Sequence, residues 1–320
     1  MLQKAQTPNF IMVVGLPGSG KSTYIEQNYS TYSVHSSDDI REELTGDANN
    51  QDVNKKVFEI LHKRVKEDLK QVRDVIYDAT NISWKRRKGF LQELNKISCY
   101  KECILIATPY EICLERNYMR NRVVPNFVIE RMYRNFDIPW YNEGWDNIKV
   151  VYTADTFKTF YGNPFDFIYD NLNYDQESKW HKCSLGVHSA LALLYVILKE
   201  WDLTELNRNE TTYAAALHDC GKVFVKSFKD SKGNDSDFAH YYNHENVSAY
   251  NSLFYEKAEG VDSLFVAALI RYHMILHFFK DWKASTKDKY EKEFCENEYL
   301  KKVSFYEALQ ILHEGDKIAH

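Results

Sequence analysis

The amino-acid sequence predicts two domains, an α/β domain built on a parallel sheet and then an all-α domain. The chain has 320 residues, which is more than most single cores contain and favours two domains of ordinary size. Short β-rich runs alternate with helical patterns in the first half, whereas the second half shows helical patterns only. We therefore expect domains at residues 1–155 and 156–320.

Five short apolar runs in the first half are predicted to be buried strands. They are residues 10–14, 32–36, 75–77, 103–107 and 148–151. The amphipathic stretches among them are predicted to be helices, at residues 22–28, 53–72, 84–97 and 109–120. Alternation of this kind provides crossover connections, so we expect the strands to pair in parallel with helices packed on the faces of the sheet.

Apolar residues recur at three- and four-residue steps through most of the second half. The predicted helices are residues 184–200, 211–220, 244–258, 264–280 and 304–319. Residues 161–174 are rich in aromatic side chains, Asn and Asp without clear periodicity. We expect that stretch to be a linker or a segment lying across the second domain, which is otherwise helical throughout.

Charge and cysteine content narrow the classes of protein that the chain can represent. The formal net charge of −5 gives no basic signature of tight, non-specific nucleic-acid binding. Residues 1–160 carry +2 and residues 161–320 carry −7, so any polyanion contact is expected in the first half. Six cysteines without a C-x-x-C pair favour reduced thiols and a cytoplasmic protein. The apolar run at residues 10–14 is too short to cross a bilayer, and no membrane association is expected.

A phosphate-binding pattern follows the first predicted strand and precedes a predicted helix. The match to G-x-x-x-x-G-K-S is complete, in Gly15-Leu16-Pro17-Gly18-Ser19-Gly20-Lys21-Ser22. Backbone N–H groups of such a loop surround the β-phosphate, while Lys21 reaches the β- and γ-phosphates and Ser22 ligates Mg²⁺. The pattern therefore predicts binding of ATP, or another nucleoside triphosphate, with Mg²⁺; the alternative is a Gly-rich turn that binds nothing.

Polar motifs follow the next two strands, at the sheet edge where the phosphate loop lies. Asp38-Asp39-x-Arg41 offers a carboxylate that can orient or deprotonate an acceptor hydroxyl, and Arg41 can bind an anionic acceptor. The alternative for this motif is a helix N-cap with a helical salt bridge. Asp78-Ala79-Thr80-Asn81 ends the third strand, and its alternative is a simple strand-to-helix turn.

An arginine-rich segment follows the fourth strand and its helix. It contains Arg116, Arg120 and Arg122 and runs into Val124-Pro125. Arginines that close over a nucleotide neutralise the charge of a transferring phosphoryl group, so this segment is predicted to be a lid.

Together these motifs resemble the 5′-hydroxyl polynucleotide kinase domain over about the first half of the chain. The residues that carry the resemblance are Gly15-x-Pro17-Gly18-x-Gly20-Lys21-Ser22-Thr23, Asp38-Asp39-x-Arg41, Asp78-Ala79-Thr80-Asn81, Arg86-Arg87 and the lid arginines. The resemblance implies that Asp38 is the general base toward a 5′-OH and that Arg41 contacts the phosphate of the acceptor. It further implies that Arg120 and Arg122 contact ATP phosphates, and that Asp78 and Ser19 line the nucleotide site.

Histidines and aspartates gather in the second half around the pair His218-Asp219. Their companions on other predicted helices are His188, His244, His273 and Asp316. Mixed nitrogen and carboxylate ligands favour Mn²⁺, Fe²⁺, Co²⁺, Ni²⁺ or Mg²⁺, as one or two ions, over a structural zinc, so Cys220 is interpreted as a bystander. The alternative is a set of unrelated core histidines.

This set resembles the HD-family phosphohydrolases. The resemblance implies that His188, His218, Asp219 and Asp316 are the metal positions, and that His244 and His273 are the extra ligands of two-metal members. It also implies that Trp180-His181 and Lys222 lie near the substrate phosphate. His240 and His277 lie four residues from His244 and His273 on predicted helices, and are either second candidates for the cleft or surface residues.

The combined interpretation is a bifunctional enzyme that heals nucleic-acid ends, with RNA favoured over DNA. One half would phosphorylate a 5′-OH with ATP, and the other would remove a 3′-phosphate or 2′,3′-cyclic phosphate before a separate ligase acts. One alternative is a nucleoside or sugar kinase fused to a nucleotide phosphohydrolase. Another is a nucleotide-gated switch without a phosphoryl acceptor. The sequence leaves the oligomeric state open.

Overall fold

The computed structural model describes residues 7–120, 122–153, 161–199, 204 and 207–319. The chain divides into two compact units. The first consists of residues 1–129 and 139–157, and the second of residues 130–138 and 158–320. The predicted domain boundary between residues 155 and 156 lies outside the described residues and stays a prediction.

A five-stranded parallel sheet with the order β2-β3-β1-β4-β5 forms the core of the first unit. Its strands are β1 (Asn9–Val14), β2 (Ser33–Ser36), β3 (Val75–Asp78), β4 (Tyr100–Ala107) and β5 (Asn147–Tyr152). β1 pairs in parallel with β3 on one side and β4 on the other, and five of its six residues are buried. The predicted parallel sheet is confirmed, because continuous apolar runs such as Phe10–Val14 are what a strand covered on both faces requires.

The helices of this region are α1 (Lys21–Asn28), α2 (Ser37–Thr45), α3 (Asn54–Lys70), α4 (Trp84–Leu94), α5 (Tyr110–Tyr118) and α6 (Asn126–Arg134), with a 3₁₀ turn at Tyr141–Glu143. The sequence predicted four of them, α1, α3, α4 and α5. The apolar pattern missed α2 and α6, which are short. The side chain of Ser36 starts α2 by accepting hydrogen bonds from the backbone N–H groups of Asp38 and Asp39.

The second unit is mainly helical. Its helices are α7 (Pro164–Asp170), α8 (Leu185–Leu198), α9 (Arg208–Leu217), α10 (Lys222–Val225), α11 (His244–Ser252), α12 (Ser263–Tyr272), α13 (Ala284–Cys295), α14 (Glu298–Lys302) and α15 (Phe305–Ile318), with a 3₁₀ stretch at His273–Asp281. α9 packs against α8, α12 and α15, and α11 packs against α12. These five helices enclose the apolar core of the unit.

The expectation that the second half is all-α was wrong. An antiparallel hairpin of β6 (Ser227–Lys229) and β7 (Asp235–His240) interrupts the helices, so the half is not all-α. Its strands carry few apolar residues, which is why no β-rich run was visible. The expected linker contains α7, whose N-terminus is capped by the side chain of Asn163 and begins with Pro164. His240 accordingly ends a strand instead of lying on a helix.

One helical stretch of the second unit, Ser263–Asp281, is long and apolar enough to cross a membrane by length and composition alone. Buried core helices pass the same test, and 56% of its most apolar window is buried. The stretch also carries His273 in the interior of the unit. We therefore interpret it as a core helix.

Candidate functional site

The phosphate loop connects β1 to α1 and depends on glycine at its turns. Gly18 and Gly20 adopt left-handed backbone conformations, with φ of 82° and 95°. A Cβ atom on Gly18 would also lie 2.3 Å from the carbonyl oxygen of Cys113. Only glycine tolerates both the positive φ and the close approach, so the glycine pattern encodes the shape of the loop.

Lys21, the first residue of α1, folds back onto this loop. Its ammonium donates hydrogen bonds to the carbonyl oxygens of Gly15 and Leu16, at 3.0 and 2.8 Å. Burial lowers the pKa of Lys21, and the carboxylate of Asp78 partly offsets that effect. The lysine is thus held at the loop by backbone acceptors, from which it can turn toward phosphate oxygens. Ser22 is exposed at the start of the helix.

The Asp78 motif holds the end of β3 against the phosphate loop. The side-chain amide of Asn81 donates to the carbonyl of Val13 at 2.8 Å, and the N–H of Gly15 donates to the carbonyl of Thr80 at 3.1 Å. Burial raises the pKa of Asp78 to about 6, and the positive charge of Lys21 acts against that rise. The motif is therefore more than a turn, because it places a half-buried carboxyl group near the loop lysine.

Asp38 lies in the first turn of α2 between two arginines. Its Oδ1 accepts from Arg41 at 2.6 Å, and its Oδ2 lies 2.7 Å from a guanidinium nitrogen of Arg122. Arg41 is only 4% exposed and also donates to the carbonyl of Ala48 and to Asn54. The N-cap and helical salt bridge named as alternatives are both present, and they fix a carboxylate whose side chain stays 48% exposed.

The three lid arginines take different positions. Arg122 donates to Asn49 and to the carbonyl of Ala48, at 2.6 and 2.7 Å, in addition to its ion pair with Asp38. Arg116 donates to Thr153 at 3.2 Å. Arg120 is exposed, and its positive charge lowers the pKa values of Lys21 and Asp78. Arg116 also lies beside the phosphate loop, since a Cβ atom on Gly20 would be 3.7 Å from its guanidinium.

Arg87, which follows the Asp78 motif in the sequence, is a structural residue. It is 1% exposed and forms a bidentate ion pair with Glu143, at 2.7 and 2.6 Å. It also donates to the carbonyl of Asn81 at 2.8 Å, and this hydrogen bond helps to hold the end of the Asp78 motif in place. Sequence reasoning missed Glu143, since nothing in the chain indicates a partner 56 residues away.

The second unit brings the six predicted metal-ligating residues into two buried trios. Within each trio one ligand atom of every member lies within 4.8 Å of the others. The trios are His188, His218 and Asp316, and Asp219, His244 and His273. His188 lies on α8, His244 on α11 and Asp316 on α15. His218 and Asp219 directly follow α9, and His273 directly follows α12.

All four histidines of the trios are oriented by backbone carbonyls. Each Nδ1 donates to a carbonyl oxygen, those of Ala319, Ala215, Tyr241 and Ile270 for His188, His218, His244 and His273, at 3.1, 2.9, 2.8 and 2.6 Å. A carbonyl only accepts, so the proton must sit on Nδ1 and the Nε2 atom faces the trio. Such outer partners fix the tautomer of metal-binding histidines in proteins.

The Nε2 atoms then face each other closely. They are 3.1 Å apart in the pair His188–His218 and 3.3 Å apart in the pair His244–His273. Two lone pairs at such distances repel unless a proton or a metal ion lies between them. Asp219 connects the trios, since its Oδ2 lies 3.2 Å from His188 and its Oδ1 lies 3.3 Å from His244.

Electrostatics in this centre favour bound positive charge. Burial opposes protonation of His218, yet Asp219 and Asp316 raise its pKa to about 10. Burial also opposes ionisation of Asp219, but Lys222 and His218 hold its pKa well below the usual value. Burial and the neighbouring His218 and His244 lower the pKa of His273 well below the usual range. Imidazole and carboxylate donors of this kind fit Mn²⁺, Fe²⁺, Co²⁺, Ni²⁺ or Mg²⁺.

Lys222 lies beside the connecting carboxylate. It is 3% exposed, and its ammonium lies 2.7 Å from Asp219 Oδ2, 3.0 Å from Gln176 Oε1 and 3.0 Å from His181 Nε2. Gln176 was missed by sequence reasoning, because a lone glutamine carries no motif.

Of the two secondary histidine candidates, His277 lies at the trios and His240 does not. His277 Nε2 lies 2.7 Å from Asp316 Oδ2, so this residue contacts a member of the first trio. His240 instead contacts Ser236 and stacks on Tyr242 in the hairpin region. The thiol of Cys220 donates to the carbonyl of Ser248, in keeping with a bystander.

Comparison with known proteins characterises the first unit. Residues 10–139, less than half of the chain, match the AAA domain family. An L-seryl-tRNA(Sec) kinase of Methanococcus maripaludis is 29% identical over 154 residues, covering 42% of this chain and 55% of that protein. A bifunctional polynucleotide phosphatase/kinase of Schizosaccharomyces pombe is 24% identical over 154 residues, covering 47% of this chain and 35% of that protein. A chain of the solved Pnkp1/Rnl/Hen1 RNA repair complex is 22% identical, with a TM-score of 0.35, over 41% of this chain and 44% of that chain.

The chain therefore spans about half and about a third of the lengths of these two curated relatives. The first unit thus combines a parallel sheet and a phosphate loop with similarity to two kinases, one of them a polynucleotide phosphatase/kinase.

Proposed function

We propose that this protein heals broken nucleic-acid ends, with an ATP-dependent 5′-hydroxyl kinase in its first unit and an HD-type metal-dependent phosphohydrolase in its second. One observation carries the proposal: a P-loop kinase domain shares the chain with two buried trios of histidine and carboxylate ligands connected by Asp219. A kinase that acted alone would leave the trios without a role.

The proposed kinase step transfers the γ-phosphoryl group of ATP to a 5′-OH. Asp38 accepts the hydroxyl proton as the oxygen attacks phosphorus, and ADP leaves with the electron pair of the broken P–O bond. Lys21 and Arg120 stabilise the negative charge on the phosphates, and Arg41 holds the acceptor. Mg²⁺ bound through Ser22 would supply further charge neutralisation.

The proposed hydrolytic step takes place at the two trios. His188, His218 and Asp316 would hold one ion, and His244 and His273 a second, with Asp219 between them. A divalent ion at such a site supplies Lewis acidity toward a phosphoryl oxygen and a water molecule of lowered pKa. The burial of Asp219 keeps bulk water from competing for the ligands, and Lys222 holds that carboxylate in place.

RNA supplies a chemical reason for joining the two activities. When a 2′-OH attacks its own phosphodiester, the strand breaks into a 2′,3′-cyclic phosphate and a 5′-OH. Both ends need repair before a ligase can join them, and each of the two proposed sites repairs one of them. The Schizosaccharomyces pombe relative supports this direction by its name, which combines a polynucleotide phosphatase with a kinase.

End-group analysis tests both halves together. A short oligoribonucleotide with a 5′-OH and a 2′,3′-cyclic phosphate is incubated with ATP and Mn²⁺, and the products are resolved by mass. The expected product has a 5′-phosphate and has lost the cyclic phosphate. An unchanged 5′ end would overturn the kinase assignment, and an unchanged 3′ end would overturn the hydrolase assignment.

The nature of the acceptor has a second candidate. The relative with the higher identity is a kinase of an aminoacylated tRNA, which favours a hydroxyl other than a 5′-OH. Radiolabelled ATP offered in parallel to a 5′-OH oligonucleotide, a free nucleoside and a seryl-tRNA separates the possibilities. Label in the oligonucleotide supports end healing, and label only in the nucleoside supports a small-metabolite kinase.

A further inference from the structure

Trp180 is an exposed tryptophan in the second unit. Its side chain is 70% exposed, although a large ring of this kind is normally well buried. The ammonium of Lys179 lies over the ring at 5.1 Å from its centre. The N–H of Trp180 donates to the hydroxyl of Ser178 at 3.2 Å, which fixes the local backbone. The surface therefore presents a flat aromatic face together with a positive charge.

This surface adjoins the two trios through the next residue. The ring centre of His181 lies 5.1 Å from that of the trio member His188. His181 Nε2 also lies 3.0 Å from the ammonium of Lys222, which in turn lies 2.7 Å from Asp219. Consecutive Cα atoms are about 3.8 Å apart, so Trp180 lies at the edge of the candidate metal centre.

We propose that Trp180 stacks on a nucleobase of the substrate while the substrate phosphate occupies the trios, with Lys179 neutralising a neighbouring phosphate. The inference rests on the phosphohydrolase function proposed above and names its substrate class: nucleotide ends, in preference to simple phosphate esters. Stacking on an aromatic ring tolerates any base, because every base has a π-face. The site would therefore process ends regardless of sequence.

Paired hydrolysis assays test the stacking role. The kcat/KM of the full-length protein is measured with Mn²⁺ on two substrates, a pentaribonucleotide ending in a 3′-phosphate and p-nitrophenyl phosphate. The variant Trp180→Ala is expected to lower the ratio of the two kcat/KM values about tenfold, which corresponds to about 1.4 kcal/mol of lost stacking. Trp180→Phe keeps a π-face and is expected to restore most of the ratio. Tyr169→Ala, which removes an aromatic residue of similar exposure on α7, is the matched control.

Three other outcomes are distinguishable. Unchanged kcat/KM values on both substrates in Trp180→Ala overturn the stacking role and leave the phosphohydrolase function intact. An equal fold-loss on both substrates, which leaves the ratio unchanged, also overturns it, because Trp180 would then only support the metal centre. Wild-type protein that hydrolyses neither these esters nor a 2′,3′-cyclic phosphate overturns the phosphohydrolase function and this inference with it.

Discussion

The two units form their sites in opposite ways. The phosphate loop of the first unit is one continuous segment whose shape comes from backbone conformation, as the left-handed Gly18 and Gly20 show. The trios of the second unit are built from side chains on separate helices, from His188 on α8 to Asp316 on α15. A site made of backbone is specified locally, whereas a site made of side chains exists only when its helices pack correctly.

The two sites also differ in the charge of their side chains. The loop region of the first unit concentrates positive groups, with Lys21 beside exposed Arg120. The second unit concentrates lone pairs and carboxylates that attract a cation. Under the proposed function, phosphate would meet cationic side chains in one unit and a bound ion in the other. Substitutions that remove one site should leave the other working.

The largest effect is expected from Asp219→Asn, because this carboxylate lies between the trios. Hydrolysis of a 2′,3′-cyclic phosphate should fall about a thousandfold or more, while 5′ phosphorylation stays at the wild-type rate. Product ends resolved by mass measure both. His240→Ala, which removes a histidine bound to Ser236 in the hairpin region, is the control and should retain hydrolysis. Parallel loss of phosphorylation in Asp219→Asn would contradict independent sites.

Lys21→Ala provides the complementary test. Phosphorylation of a 5′-OH oligonucleotide should fall by about a thousandfold, since Lys21 is the loop residue whose charge reaches the β- and γ-phosphates. Transfer of radiolabel from ATP measures the loss. Lys149→Ala removes an exposed lysine that donates to Tyr24, and phosphorylation by that variant should be unaffected. A Lys21→Ala protein that still phosphorylates would remove the phosphate loop from the mechanism.

Arg122→Ala should reduce phosphorylation less than Lys21→Ala does, and it tests whether the lid arginine acts on the acceptor side or on the nucleotide. Arg122 contacts Asp38, Asn49 and the carbonyl of Ala48, so its loss should loosen the proposed base and the neighbouring loop. We expect the KM for the acceptor to rise about tenfold and the KM for ATP to change less. The reverse pattern would show that Arg122 reaches the nucleotide. Arg64→Ala, which breaks the surface pair with Glu43, is the control.

The smallest effect concerns pH and Asp78. Its pKa of about 6 in the folded protein exceeds the value of about 3.9 for an unfolded chain. The folded state therefore holds this proton more tightly, and stability is lost as the pH rises from about 4 through 6, by about 3 kcal/mol at most. Asp78→Asn should abolish this dependence. The measurement is the midpoint temperature of thermal unfolding at pH 5 and at pH 7, for the transition whose midpoint rises when ATP is added. If the midpoint of Asp78→Asn changes between the two pH values as much as that of the wild type, the pH dependence belongs to other groups.

The strands and the phosphate loop were predictable from the sequence because their signals are local. Apolar runs such as Phe10–Val14 mark buried strands, and the glycine pattern marks a backbone that only glycine adopts. Helix α2 and the hairpin of β6 and β7 were missed, because their patterns are short and largely polar. The residue types of the metal ligands were predictable, but their division into trios was not.

By itself the sequence determined the sheet, the loop that binds phosphate and the kinds of ligand in the second unit. Tertiary structure alone decided which ligands meet: His188 with His218, His244 with His273, and Asp219 between them. It also decided that Arg122 lies on Asp38 and that Lys222 lies beside Asp219. The physical reason is that backbone conformation depends on neighbours along the chain, whereas side-chain contacts between helices depend on how distant segments pack.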